Sequence, residues 1–337
     1  MTEEDLLPLP PRAVPPPRVA VRLAVPDLRP WREGNTGVQG VWSFIGPAPG
    51  PHLAVVALMH GNEIAGAHAM ARWLRDGLRP LRGRLSLVFA NLDAFARFDP
   101  ADPTASRFVD EDMNRLWDAD RLERDPRRSA ELRRARALRP VFDAADVVLD
   151  LHSMLWPSDP LILTGAADRA RRLAGEIGVP PLVVADEGHA TGPRLIDYPR
   201  FADPSGTATA MLVEAGPHWE EETAATAEAC AARLLRLLGM TRASAAGPGS
   251  AASPPPPPRP RFARVSRTVT ARSGAFAFVR AFRGGEVVAR CNTLIALDGE
   301  EEIRTPHDDC LLVMPSPRTM PGHTAVRLAR LLEPGTA

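Results

Sequence analysis

The chain has 337 residues, 45% of them hydrophobic and 24% charged, and its formal net charge is zero. That is the balance of a soluble globular protein with room for a large core, and it argues against a dedicated nucleic-acid or anionic-membrane partner. No run of about 18 apolar residues predicts a membrane-spanning helix, and all 41 basic residues are arginine, which removes P-loop, lysine Schiff-base and Ser-Lys chemistry.

The acidic start Met1-Thr2-Glu3-Glu4-Asp5 lacks the basic-then-apolar order of a signal peptide. Residues 1–18 are proline rich and read as an extended arm. Residues 19–25 and 41–45 read as short strands, and the apolar run 53–58 as a buried one. A helix is expected over 63–79, where Ile64, Ala67, Met70, Ala71, Leu74 and Leu78 form one apolar stripe. Residues 85–90 predict another strand. Residues 91–119 show no clean period and read as a long functional loop. A basic amphipathic helix follows over 129–142, then strands at 147–151, 161–163, 182–184 and 210–213. Helices are expected near 168–177 and 220–238, with Gly239 as the stop. This alternation predicts an α/β domain over 19–242, a mixed, largely parallel sheet flanked by helices.

Residues 243–260, with five consecutive prolines at 254–258, read as a spacer. Short strand-like runs at 265–270, 275–282, 286–290, 293–297, 311–314 and 325–331 predict a smaller β domain over 261–337. Cys230, Cys291 and Cys310 are far apart and odd in number, so a reducing cytoplasm is the default location.

Three residues carry the chemistry. His60 and Glu63 follow the strand 53–58 across a turn, and His152 follows the strand at 147–151. Parallel strands gather ligand sites beyond their carboxyl ends. Two imidazoles and one carboxylate meeting there would make a three-ligand zinc site with an open fourth position. Gly61 is expected to ease the turn. Asp150, two residues before His152, shares its strand face and could orient a ligand imidazole.

Four segments, His60-Gly61-Asn62-Glu63, Asp112-Met113-Asn114-Arg115, Asp150-Leu151-His152 and Val213-Glu214-Ala215-Gly216-Pro217, resemble the signature segments of the succinylglutamate desuccinylase/aspartoacylase family, a branch of the zinc carboxypeptidase-like hydrolases. The resemblance implies one zinc ion per chain on His60, Glu63 and His152. It implies Glu214 as general base and then general acid, Arg107 as the group polarising the scissile carbonyl, and Arg115, with Asn114 beside it, as the substrate-carboxylate site. Tyr198 and Arg194 lie upstream of Glu214, where relatives place further substrate contacts, and His218 follows the Glu214 segment and could line the pocket; none of the three has an assigned role. The expected activity is cytoplasmic zinc-dependent hydrolysis of the acyl amide bond of a small carboxylate-bearing molecule, an N-acyl amino acid deacylase. A homo-oligomer is compatible with it. The alternatives are a metallocarboxypeptidase acting on peptides and a catalytically silent metabolite-binding relative. Ser153-Met154-Leu155-Trp156 after His152 departs from the polar residues of aspartoacylases and suggests a bulkier, more apolar pocket wall.

Overall fold

The computed structural model describes residues 20–188, 191–242 and 259–333. The proline-rich arm, residues 243–258 of the spacer and His189 lie outside the described residues.

The first half alternates strands and helices: β1 (Val41–Ile45), β2 (Ala48–Ala57), α1 (Ile64–Arg75), β3 (Arg82–Phe89), α2 (Leu92–Phe95), α3 (Ala119–Arg124), α4 (Ala130–Asp143) and β4 (Val147–Met154). Then come β5 (Leu161–Thr164), α5 (Asp168–Ile177), β6 (Leu182–Ala185), α6 (Pro199–Ala202), β7 (Thr209–Pro217) and α7 (Glu221–Leu237). The C-terminal part contains β8 (Arg261–Thr270), β9 (Phe276–Phe278), β10 (Val287–Val288), β11 (Leu294–Asp298), β12 (Glu301–Arg304), β13 (Cys310–Val313) and β14 (Thr324–Leu331).

Eleven strands form one sheet in the order β1-β3-β2-β4-β7-β5-β6-β8-β14-β13-β10. The centre, β3-β2-β4-β7, is parallel. Both faces of it are covered, which is why its strands read as unbroken apolar runs. Along β2, Leu53, Val55 and Ala57 pack with α1 and α7, while Ala54 and Val56 pack toward α4 on the other face. The C-terminal strands β8, β14, β13 and β10 continue this sheet through the parallel pairing of β6 with β8. Three others, β12-β11-β9, form a second, antiparallel sheet. No helix among the described residues is long and apolar enough to cross a membrane.

Two expectations need correction. Residues 20–25 form no strand. They run along Trp219, whose carbonyl accepts the amides of Arg22 and Leu23, and Leu23 is buried by that contact. The helix expected to reach residue 79 ends at Arg75, because Gly77 takes a left-handed φ of 71° and Pro80 follows. Gly239, at φ 66°, terminates α7 as expected.

Candidate metal centre and active site

Strand alternation selects the face on which the site is built. Leu149 and Leu151 of β4 pack toward α1 and α7, whereas Val148 packs toward α4. Asp150 and His152 continue the Val148 register. In β7, Ala210 and Leu212 face the same way, and Glu214 comes next. His152 and Glu214 are register partners across the parallel pair. Both carboxyl and imidazole therefore stand on one face, near the carboxyl ends of neighbouring strands.

His60 and Glu63 arrive from the turn after β2. Leu58 enters that turn at φ 60° although its side chain is fully buried, a conformation that a branched residue adopts only where its surroundings impose it. Gly61 is required for a different reason from the one expected. Its φ is not left-handed; a Cβ there would stand 2.5 Å from the backbone of Ala94 and of Phe95. The turn is also pinned from outside, with Gly61 N donating to Arg107 O at 3.0 Å and Trp219 Nε1 to Asn62 O at 2.8 Å.

The three side chains converge. Glu63 Oε1 lies 2.8 Å from His60 Nδ1, and Glu63 Oε2 lies 2.9 Å from His152 Nδ1. One potential ligand atom from each residue falls within 4.8 Å of the others, and all three residues are buried. Donors at 2.0–2.2 Å around a tetrahedral ion stand about 3.3 Å apart, so little movement would seat one. The outer nitrogens also face carboxylates. His60 Nε2 is 2.8 Å from Asp112 Oδ1, and His152 Nε2 is 2.9 Å from Asp150 Oδ2, the latter out of line for a full hydrogen bond.

This arrangement fits a cation. A neutral imidazole has a single N–H. If the outer carboxylates take it, each Nδ1 presents a lone pair to a Glu63 oxygen. A positive ion between them converts repulsion into coordination, with Asp112 and Asp150 orienting the rings. Without one the cluster must gather protons. Burial disfavours a charged His152, yet Asp150 and Glu63 hold its pKa well above the usual imidazole value. Burial likewise opposes an ionised Glu63, but His60 and His152 hold its carboxyl well below the ordinary range.

Glu214 behaves in the opposite way. Burial and the nearby Glu63 charge push its carboxyl up to about 8. Its Oε2 has no hydrogen-bond partner among the described residues. Arg107 bridges the cluster: Nη1 donates to Glu63 Oε1 at 3.2 Å and Nη2 to Asp112 Oδ2 at 3.2 Å. Burial works against its charge, but Asp112 and Glu63 outweigh that and raise its pKa.

Around these groups lies a cavity of about 900 Å³, lined among others by Arg107, Asn114, Arg115, Trp156, Glu214 and His218, a size suited to a small molecule. Arg115 is held by Thr191 Oγ1 and the Asn114 carbonyl, and burial lowers its pKa to about 10. Asn114 is partly committed elsewhere, since its Oδ1 accepts the Leu195 amide at 2.9 Å. His218 accepts from or donates to Ser153 Oγ through Nδ1 at 2.7 Å, and burial lowers its pKa to about 4. Arg194 lines the cavity but is locked to Asp186 and Asp197. Tyr198 does not line it: its hydroxyl donates to Asp143 and its ring packs on Trp117 and Phe201.

Three contributors escaped the sequence reading. Asp112 stood inside a quoted segment without a role. Glu131, fully buried on α4, accepts the amides of Val109, Asp110 and Glu111 and so shapes the loop that carries Arg107 and Asp112. Arg327 enters the cavity from β14, far away in the chain.

Comparison with known proteins gives the family and the fold. A family model described as the succinylglutamate desuccinylase/aspartoacylase catalytic domain matches residues 49–238. The curated aspartoacylase of Mus musculus is 29% identical over 119 residues, which are 33% of this chain and 36% of that protein. That of Xenopus tropicalis is 31% identical over 113 residues, 31% of this chain and 34% of that one. The chain thus aligns with only about a third of the length of these relatives. Among solved structures, the succinylglutamate desuccinylase of Vibrio cholerae superposes with a TM-score of 0.65 at 19% identity, covering 87% of this chain and 85% of the other. A succinylglutamate desuccinylase/aspartoacylase of Rhodobacter sphaeroides gives 0.61 at 18% identity, covering 87% and 89%. At these identities the structural likeness establishes the shared fold.

Proposed function

The chain belongs to the succinylglutamate desuccinylase/aspartoacylase family, and from that premise we propose that it is a zinc-dependent deacylase that hydrolyses the amide bond of a small N-acyl amino acid. Two imidazoles and a carboxylate form a donor set suited to zinc. His60, Glu63 and His152 would hold the ion, and when bound it supplies Lewis acidity to the attacking water and the scissile carbonyl.

The remaining roles fall to the chain itself. Glu214 takes the proton of the attacking water and returns it to the leaving nitrogen. Burial raises the pKa of this carboxyl, which makes it a better proton acceptor than a solvated carboxylate. Arg107 donates to the carbonyl oxygen as negative charge develops there. Arg115 grips the substrate carboxylate through its planar guanidinium, with Asn114 beside it. Trp156 and Leu155 in the lining favour a substrate with a bulky apolar portion.

The observation that carries this reading is Glu214: buried, with a free carboxylate oxygen, on the strand next to His152. The test is Glu214→Gln assayed on a panel of N-acyl amino acids beside short peptides. The variant should retain bound zinc and lose activity by about 10²- to 10⁴-fold. Near-normal turnover would remove Glu214 from the reaction, and a wild-type preference for the peptides would overturn the substrate class.

A further inference from the structure

The wall that carries Leu155 and Trp156 is held from behind by the C-terminal part of the chain. Residues 155–160 link β4 to β5, and Leu155, Trp156 and Ser158 line the cavity. Ser158 is 2% exposed. Behind it lies Gly284, which is buried but does not line the cavity. The two residues meet in an isolated parallel bridge. Gly284 N donates to Pro157 O at 3.0 Å, and Asp159 N donates to Gly284 O at 2.9 Å.

The far side of Gly284 is anchored too. Gly285 N donates to Leu312 O at 2.8 Å and Leu312 N to Glu286 O at 2.9 Å, which ties this turn to β13 and so to the large sheet. Main-chain bonds therefore run from β13 through 284–286 to 157–159. The Arg283–Asp159 pair beside them is exposed on both sides and adds little. Such a close approach needs a glycine. A Cβ on Gly284 would meet the Ser158 hydroxyl oxygen and stand 2.6 Å from Ser158 Cβ and 3.2 Å from Ser158 Cα. A hydroxyl can turn aside, but Cβ and Cα move only with the main chain. The φ of Gly284 is not left-handed, so the requirement comes from this contact.

We propose that Gly284 is a positioning residue for substrate selection: it seats Ser158 and thereby sets how far the Leu155–Trp156 wall stands into the cavity. This deepens the deacylase reading and rests on it. With the carboxylate of the amine portion at Arg115, the acyl chain is what remains to meet that wall. A methyl added at 284 has one direction in which to push. Ser158 sits between Gly284 and the cavity, so the segment moves inward and shortens the space for the acyl chain. His60, Glu63 and His152 take no part in the contact.

The test follows hydrolysis of N-acetyl-, N-butyryl- and N-hexanoyl-L-alanine by the metal-loaded full chain, in wild type, Gly284→Ala and Gly284→Ala/Ser158→Gly. Gly284→Ala should raise KM for the hexanoyl compound relative to the acetyl compound by about tenfold, the low end of what one methylene contact contributes. The change should fall on KM more than on kcat, at wild-type metal content. The double variant removes the Ser158 hydroxyl and Cβ and should bring the ratio back to within about twofold of wild type, a rescue that general loss of stability would not show. An unchanged ratio in Gly284→Ala, or a shift that Ser158→Gly does not reverse, overturns the proposal. If Gly284→Ala fails to fold, Ser158→Thr, which adds one methyl to the buried side chain facing Gly284, decides by the same ratio. Wild type that hydrolyses none of the three compounds counts against the deacylase reading instead. The affinity for hexanoate relative to acetate, by calorimetric titration of the same proteins, then tests Gly284 by itself: a weakened hexanoate preference in Gly284→Ala supports the proposal and an unmoved one overturns it.

Discussion

Replacing Glu131 by glutamine is expected to loosen the loop that carries Arg107 and Asp112. The Glu131 carboxylate sits on the first turn of α4 and is fully buried. Oε1 accepts Val109 N at 2.6 Å and Asn91 Nδ2 at 3.0 Å, and Oε2 accepts Asp110 N at 3.0 Å and Glu111 N at 3.2 Å. Glutamine is the same size but turns one oxygen into a donor, so two of these four N–H groups would face an N–H. Hydrogen bonds to a charged acceptor contribute about 1.5–3 kcal/mol each, and buried donors left unmet cost about 1–3 kcal/mol. Two losses therefore amount to about 3–6 kcal/mol, a large part of a typical stability of about 5–15 kcal/mol. Urea denaturation followed by circular dichroism measures it. Because Asp112 orients His60 and Arg107 sits beside Glu63, the folded variant should also bind metal more weakly and turn over more slowly. A stability change under about 1 kcal/mol with unaltered turnover would refute the reasoning.

Other consequences concern protonation and packing. The Glu214 carboxyl is raised to about 8 in the folded chain against an ordinary value of 4.5. A raised folded pKa gives stability that is fully present below 4.5 and lost as pH rises through about 8. Chelator-treated wild type should therefore lose more stability between pH 5 and pH 8.5 than Glu214→Gln does, in paired thermal melts; parallel curves would contradict the placement of Glu214 in a buried site beside Glu63. Gly61→Ala puts a methyl 2.5 Å from the Ala94 and Phe95 backbone, and should cost about 1–3 kcal/mol in denaturant titration while displacing His60. An alanine variant with wild-type stability and metal content would show that this close approach is not needed.

How much of this was legible in sequence depended on what each residue touches. Strands β2, β4 and β7 announce themselves because both sheet faces are covered, so Val55 and Val56 are equally buried and the runs are unbroken. The turn residues His60 and Glu63 follow from where β2 ends. Strand β12, Glu301–Arg304, was invisible because Glu301, Glu302 and Arg304 lie outward and only Ile303 is buried. The segment at 19–25 looked like a strand because it is apolar except for Arg22, but the partner of residues 22 and 23 is the Trp219 carbonyl rather than a sheet edge. Arg327 and Glu131 could not be ranked from sequence, since an arginine among 41 basic residues gains meaning only when topology brings β14 beside the cavity. Asn114 illustrates a divided role: the segment that suggests substrate contact also uses its oxygen to hold Leu195.

The most direct test of the account is elemental analysis by inductively coupled plasma mass spectrometry of the purified full chain beside His152→Ala. The His60–Glu63–His152 cluster predicts one divalent ion per wild-type chain, zinc foremost, and a loss of most of it in the variant at equal folded content. Metal-free wild type after incubation with excess zinc, or full occupancy in His152→Ala, would contradict it.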